Sequence, residues 1–157
     1  MYFDRHGNQH KPVTGDFVRS RKGGFAVVIF NDAVLVADGP HAPDVPELPG
    51  GGIEAGETAL EAAIREMMEE TGITLADYEI LREESVHNKF FADDINQYWD
   101  YDVTYFQLGI KDTTIYFEGK KPSPEGGNVW WLPLKDIQNG HPIKYMERVI
   151  LKKWGLV

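Results

Sequence analysis

Gly51-Gly52-Ile53-Glu54-Ala55-Gly56-Glu57, running on to Arg65-Glu66-Met67-Met68-Glu69-Glu70-Thr71-Gly72-Ile73, decides how this chain is read. The stretch has the form G-x5-E-x7-R-E-U-x-E-E-x-G-U, where U is a bulky aliphatic residue. Thr58 to Thr71 contains good helix formers, no proline and no glycine, and Gly72 suits the position just past a helix end. Leu60, Ala63, Ile64, Met67 and Thr71 follow the i, i+3, i+4, i+7 spacing of a buried stripe. Glu66, Glu69 and Glu70 are related by i+3 and i+4, so they share a different face, with small Ala62 beside them.

Like charges at that spacing destabilise a helix by roughly a few tenths of a kcal/mol per pair. A divalent cation reverses the sign of that interaction, because carboxylate oxygens are preferred ligands of Mg²⁺. Arg65 lies between Glu61 and Glu69 on the helix and can also turn back toward Glu57 at its entrance. An acidic helix on its own reads as a solvated face. Here it follows Leu48-Pro49-Gly50-Gly51-Gly52, whose glycines allow the backbone to approach a ligand closely. Loop and helix together favour a functional site.

Working outward, Phe25 to Phe30 is an apolar, β-branched run expected to be a strand buried on both faces. Asn31-Asp32 is a turn pair, and Ala33 to Ala37 returns as the second arm of a hairpin. Asp38 to Pro49 carries Pro40, Pro43, Pro46 and Pro49 and is expected to be irregular. Tyr78 to Asn88 reads as a strand, Lys89 to Gln97 as a polar connector, and Tyr98 to Ile110 as a strand with Trp99, Tyr101, Val103 and Tyr105 on one face. Ile115 to Phe117 is a short strand or a loop ridge. Lys120 to Asn128 is a Pro/Gly loop, Val129 to Leu132 a short strand, and Pro133 to Gly140 holds a helical turn. Tyr145 to Trp154 closes the chain as a helix packing through Met146, Val149, Ile150 and Trp154. This order predicts an α/β protein, a mixed sheet between helices, in a single domain over residues 1–157. Residues 1–22 are an N-terminal extension or edge segment.

The chain has 157 residues, 42% of them apolar, enough for one domain with a real core. No apolar run approaches the ~18 residues of a membrane span, and Met1 to His6 lacks the build of a signal peptide. Cysteine is absent, which rules out disulfides and thiol chemistry and agrees with a cytoplasmic setting. A net charge of −9 argues against broad nucleic-acid or anionic-membrane binding.

The signature resembles that of the Nudix (MutT-like) hydrolases, and the order of elements from about Gly23 onward is similar to the Nudix α/β/α sandwich. The resemblance implies metal-dependent hydrolysis of a pyrophosphate bond in a nucleoside diphosphate linked to another group. It implies Mg²⁺, with Mn²⁺ as a substitute, held by Glu66, Glu69 and Glu70 with a backbone carbonyl of Gly50 or Gly51. Glu66 becomes the candidate general base, and Arg65 with Glu57 an orienting ion pair. Glu125, in Pro124-Glu125-Gly126-Gly127-Asn128, sits where some members place a further catalytic or metal-binding glutamate; an exposed loop acid is the competing reading.

Phe90, Phe91, Trp99, Tyr101 and Tyr105 are candidates for a base-stacking platform, though their alternation suits a core equally. Arg19, Arg21 and Lys22 are candidates for a distal phosphate or for solvated surface. The five histidines are scattered without ligand spacing. Downstream markers for ADP-ribose, dinucleoside polyphosphates and NADH are missing, which leaves nucleoside triphosphates, nucleotide sugars and related small molecules open. A homodimer is allowed. A non-catalytic nucleotide sensor or regulator on the same fold is the alternative, but all four signature glutamates are retained. A diphosphate isomerase would need a catalytic cysteine.

Overall fold

The computed structural model describes residues 1–40 and 42–157; His41, in the proline-rich loop, lies outside the described residues. A mixed sheet runs in the order β2-β1-β6-β7-β3-β4-β9-β8, with β5 paired on β3. The strands are β1 (Tyr2–Phe3), β2 (Gln9–His10), β3 (Val18–Phe30), β4 (Ala33–Ala37), β5 (Gly50–Gly52), β6 (Tyr78–Ala92), β7 (Gln97–Ile110), β8 (Lys121–Pro122) and β9 (Asn128–Pro133). The helices are α1 (Ala59–Thr71), α2 (Leu134–Gln138) and α3 (Tyr145–Lys153). Among the described residues no helix is long and apolar enough to cross a membrane.

Alternation along the central strands sends side chains to two cores. Phe25, Val27, Val34, Val36, Tyr101, Val103 and Tyr105 pack with Ile137, Met146, Ile150 and Leu151 of α2 and α3. Ala26, Val28, Leu35, Phe106 and Leu108 pack with Ala63 and Met67 of α1. Both faces of β3 and β4 are therefore covered, which is why those segments read as unbroken apolar runs. The result is the expected α/β/α sandwich.

The Asn31-Asp32 turn has both residues at positive φ, 49° and 56°, as a two-residue hairpin requires. Several expectations need correction, among them the glycine loop and the Lys120–Asn128 loop, which carry the short strands β5 and β8. β3 begins at Val18, seven residues earlier than its apolar run, because its N-terminal half lies in parallel register with β7 from Val18↔Tyr98 onward. Backbone pairing overrides the poor strand propensity of Arg19 to Gly24.

The Lys89–Gln97 connector is instead the end of one long hairpin. Phe90, Phe91 and Ala92 are buried at the end of β6, and the turn narrows to four residues before Gln97, with Asn96 at φ 52°. On α3, Val149 is exposed and the buried face is Met146, Glu147, Ile150 and Leu151. The Ile115–Phe117 segment follows a single 3₁₀ turn, Thr113–Ile115, and forms the loop ridge, with Tyr116 against Phe30 and Trp131.

Within residues 1–22, β1 and β2 form one edge of the sheet, whereas Val18 to Lys22 already belong to the interior strand β3. β1 pairs in parallel with β6 at Phe3↔Phe90, and Arg5 bonds Asp93 at 2.8 Å and Asp94 at 3.1 Å in the hairpin turn. Asp4 accepts hydrogen bonds from the backbone N–H groups of His6 and Asn8, both at 2.9 Å, and faces His10 at 2.9 Å. Burial alone would raise its pKa, but those bonds outweigh it and bring the carboxyl down from 3.8 to about 2. A depressed folded-state pKa stabilises at pH above the unfolded value and loses that contribution as pH falls through the folded one. The melting-temperature gap between the parent and Asp4→Asn should therefore be widest above about pH 4 and close as pH falls toward about 2. A gap independent of pH would remove the ionised Asp4 from the account.

Candidate active site

The helix that carries the glutamates is capped at both ends by its own sequence. Thr58 Oγ1 accepts from Glu61 N–H at 3.1 Å, and Gly72, at φ 74°, donates its N–H to Met68 O at 2.8 Å. Ala62, Ala63 and Met67 are the buried residues of α1, and this side packs on β3 and β5. The approach is close enough that a Cβ on Gly24 would lie 1.9 Å from Ala59 O. At Gly51 a Cβ would sit 2.7 Å from the Glu66 carboxyl carbon and would displace that side chain. The glycines of the signature thus seat Glu66 against bare backbone.

Arg65 organises this face. Its Nε donates to Glu57 Oε2 at 2.7 Å and its Nη2 to Glu57 Oε1 at 2.9 Å, a two-pronged pairing. Nη2 also donates to Gly52 O at 3.0 Å, while Nη1 reaches Glu66 Oε1 at 3.0 Å and Glu69 Oε2 at 3.3 Å. The Arg65 bonds, helped by the Glu54 N–H, hold the Glu57 carboxyl down at about 2. The pair is partly exposed rather than fully enclosed. Glu61, expected beside Arg65, instead bonds its capping residue Thr58.

Glu66, Glu69 and Glu125 each offer an oxygen, all within 4.8 Å of one another. Glu125 reaches the helix because its turn is pinned to it. Ser123 Oγ donates to the Glu70 carbonyl at the end of α1, and Ser123 N–H donates to Gly127 O at 3.0 Å across the turn. Glu125 N–H then donates to Ser123 Oγ at 3.2 Å. Glu70 lies outside that trio: its carboxylate accepts from Gly50 N–H at 3.3 Å, beneath the glycine strand. Burial, followed by the charges of Glu47 and Glu66, pushes the Glu70 carboxyl well above the ordinary range. Burial raises Glu66 as well, against the pull of Arg65.

A cavity of ≈ 380 Å³ adjoins these residues. Gly50, Gly51, Gly52, Glu70 and Glu125 line one part of it, and Phe25, Phe90, Trp99 and Tyr101 another. The rings form a continuous series, Phe90 to Trp99 at 5.6 Å, Trp99 to Tyr101 at 5.7 Å and Tyr101 to Phe25 at 6.3 Å between centroids. Of the five aromatic candidates, Phe91 instead stacks on His10 at 4.1 Å, and Tyr105 is enclosed in the core. Arg21 lines the cavity with its guanidinium 4.2 Å over Trp99, whereas Arg19 and Lys22 are exposed.

Sequence reasoning missed Glu47, Lys144 and Glu147, of which the first two line the cavity and the third lies buried beside Lys144. A signal was present: Glu147, Ile150, Leu151 and Trp154 form their own i, i+3, i+4, i+7 stripe, so an acid on the buried face could have been read from it.

The sequence matches the family profile described as the NUDIX domain over residues 20–150. Similar solved structures include the MutT protein from Bacillus halodurans, at 28% identity and a TM-score of 0.55, covering 84% of this chain and 80% of that one. A C. elegans Ap4A hydrolase, solved as a binary complex, is similar at 21% identity and a TM-score of 0.63, covering 86% and 95%. The E. coli dihydroneopterin triphosphate pyrophosphohydrolase is similar at 20% identity and a TM-score of 0.58, covering 87% and 97%. No curated protein matches the chain in sequence.

Proposed function

This chain belongs to the Nudix hydrolase family, and from that premise we propose that it cleaves the pyrophosphate bond of a small nucleoside diphosphate derivative in a metal-dependent reaction. The observation that carries the reading is the convergence of Glu66, Glu69 and Glu125 from two separate elements within 4.8 Å. Glu66 and Glu69 share the Arg65 guanidinium with Glu57, so the trio is short of positive charge, and buried Glu70 beside it is kept from ionising easily. That donor set is all oxygen and acidic, which suits Mg²⁺ or Mn²⁺. Glu66, Glu69 and Glu125 would hold the metal, with Glu70 and the Gly51 backbone as further candidates.

A bound divalent ion supplies charge neutralisation at the phosphoryl oxygens and lowers the pKa of an attacking water. The protein's own groups do the rest. Arg65 orients Glu66 and Glu69, and Glu57 fixes Arg65. Glu66 is our candidate for the base that accepts the proton of the attacking water. Arg21, stacked on Trp99 in the cavity wall and without a carboxylate partner among the described residues, is our candidate for a contact to a substrate phosphate. The aromatic series gives the organic part of the substrate an apolar enclosure that the charged helix lacks.

The test is a panel of nucleoside triphosphates, nucleotide sugars and dinucleotides incubated with the protein and Mg²⁺, with products separated and identified. Cleavage between phosphoryl groups of at least one nucleotide is expected. Folded protein that leaves every phosphoanhydride intact would overturn the proposal.

A further inference from the structure

The cavity also reaches a group of side chains that hydrolysis itself does not use. Lys144 is only 6% exposed, and its one side-chain hydrogen bond among the described residues is to Glu47 Oε2 at 3.2 Å. An ammonium has three N–H groups, so two remain to be satisfied. The Nζ lies 4.8 Å from the centre of the Phe90 ring and 5.7 Å from that of Phe25, both cavity walls. Glu47 is about one-third exposed and lines the same cavity.

Donor and acceptor are held in a fixed relation. Lys144 N–H donates to Pro46 O at 3.0 Å, and Leu48 N–H donates to Glu147 Oε2 at 2.6 Å, so the two segments are bolted together on either side of the ion pair. What could such a pair bind between aromatic walls? An anion brought to Lys144 would meet Glu47 at once, with Glu70 and Glu147 close enough to influence the same groups. A neutral planar ring bearing a hydrogen-bond acceptor beside a donor satisfies both side chains with no charge conflict.

Resting on the function proposed above, we propose that this end of the cavity selects a nucleobase through a lactam edge, a ring carbonyl beside a ring N–H, with guanine the best fit. Lys144 donates to the carbonyl, and the Glu47 carboxylate accepts from the ring N–H and, in guanine, from the neighbouring amino group. The rings of Phe25, Phe90 and Tyr101 enclose the base. Adenine has no carbonyl, so it leaves the charged donor with a poorer acceptor and gives Glu47 one donor instead of two.

Calorimetric titration with uncleavable, methylene-bridged analogues of GTP and ATP, in the presence of Mg²⁺, tests this. The parent should bind the GTP analogue roughly tenfold or more tightly than the ATP analogue. Lys144→Met should bring the ratio to near one while Mn²⁺ affinity, measured separately, stays the same. Because Lys144 is buried, Glu47→Gln at the more exposed position is a second variant, and it should also cut the preference several-fold. Equal binding in the parent, or a preference untouched by Glu47→Gln, overturns the assignment. Nucleotide cleavage with no base preference would sink this inference alone, whereas a panel without any cleavage would sink the function on which it rests.

Discussion

Glu66→Gln and Glu69→Gln are each expected to lower turnover by roughly a hundredfold or more, with the fold intact. Glutamine keeps the shape and helix propensity of glutamate but removes the negative ligand, so the loss should lie in chemistry rather than in structure. Both carboxylates point to the shared trio with Glu125, and both are held by Arg65 Nη1. Removing either one leaves a weaker cation site, and removing Glu66 also takes away the candidate base. The measurement is kcat on the best substrate of the nucleotide panel, alongside a melting curve for each variant. A fall of less than about tenfold at both positions, in folded protein, contradicts their proposed roles.

Arg65→Ala is expected to lose both activity and stability. Without the guanidinium, Glu57, Glu66 and Glu69 face one another with no counter-charge, and the Gly52 carbonyl loses its donor. Arg65→Lys should rescue little, because one ammonium cannot reproduce a fork that bonds Glu57 at two points. In metal-free buffer the Arg65→Ala melting temperature should drop clearly below the parent's. Glu70→Gln, which replaces a buried carboxyl that already favours its neutral form with a neutral amide, should match or exceed the parent. An Arg65→Ala protein as stable as the parent would make Arg65 a surface residue or a substrate contact.

The glutamate-bearing helix α1 was legible in the sequence because everything that defines it is local. Its Thr58 cap, its Gly72 stop, its buried stripe and its row of glutamates all lie within one short span. The hairpin from Phe25 to Ala37 was legible for the same reason. What escaped was set by distant partners. The N-terminal half of β3 is rich in charge and glycine, and only its pairing with β7 makes it a strand. Glu125 was offered by the family resemblance and not by any spacing rule, because its place in the trio depends on Ser123 bonding a carbonyl more than fifty residues away. Glu70, on the same helical face as Glu66 and Glu69, is drawn off to Gly50 by tertiary packing. The α3 stripe was ambiguous between Val149 and Glu147, and the preference for an apolar residue hid the buried ion pair next to it.

The central claim is that clustered carboxylates on α1 and the Ser123–Gly127 turn bind a divalent metal that the hydrolysis requires. The most direct test follows turnover of the best nucleotide substrate while the metal is withdrawn and restored. Excess chelator should abolish cleavage, and added Mg²⁺ or Mn²⁺ should bring it back. Cleavage that continues unchanged in excess chelator would contradict the account.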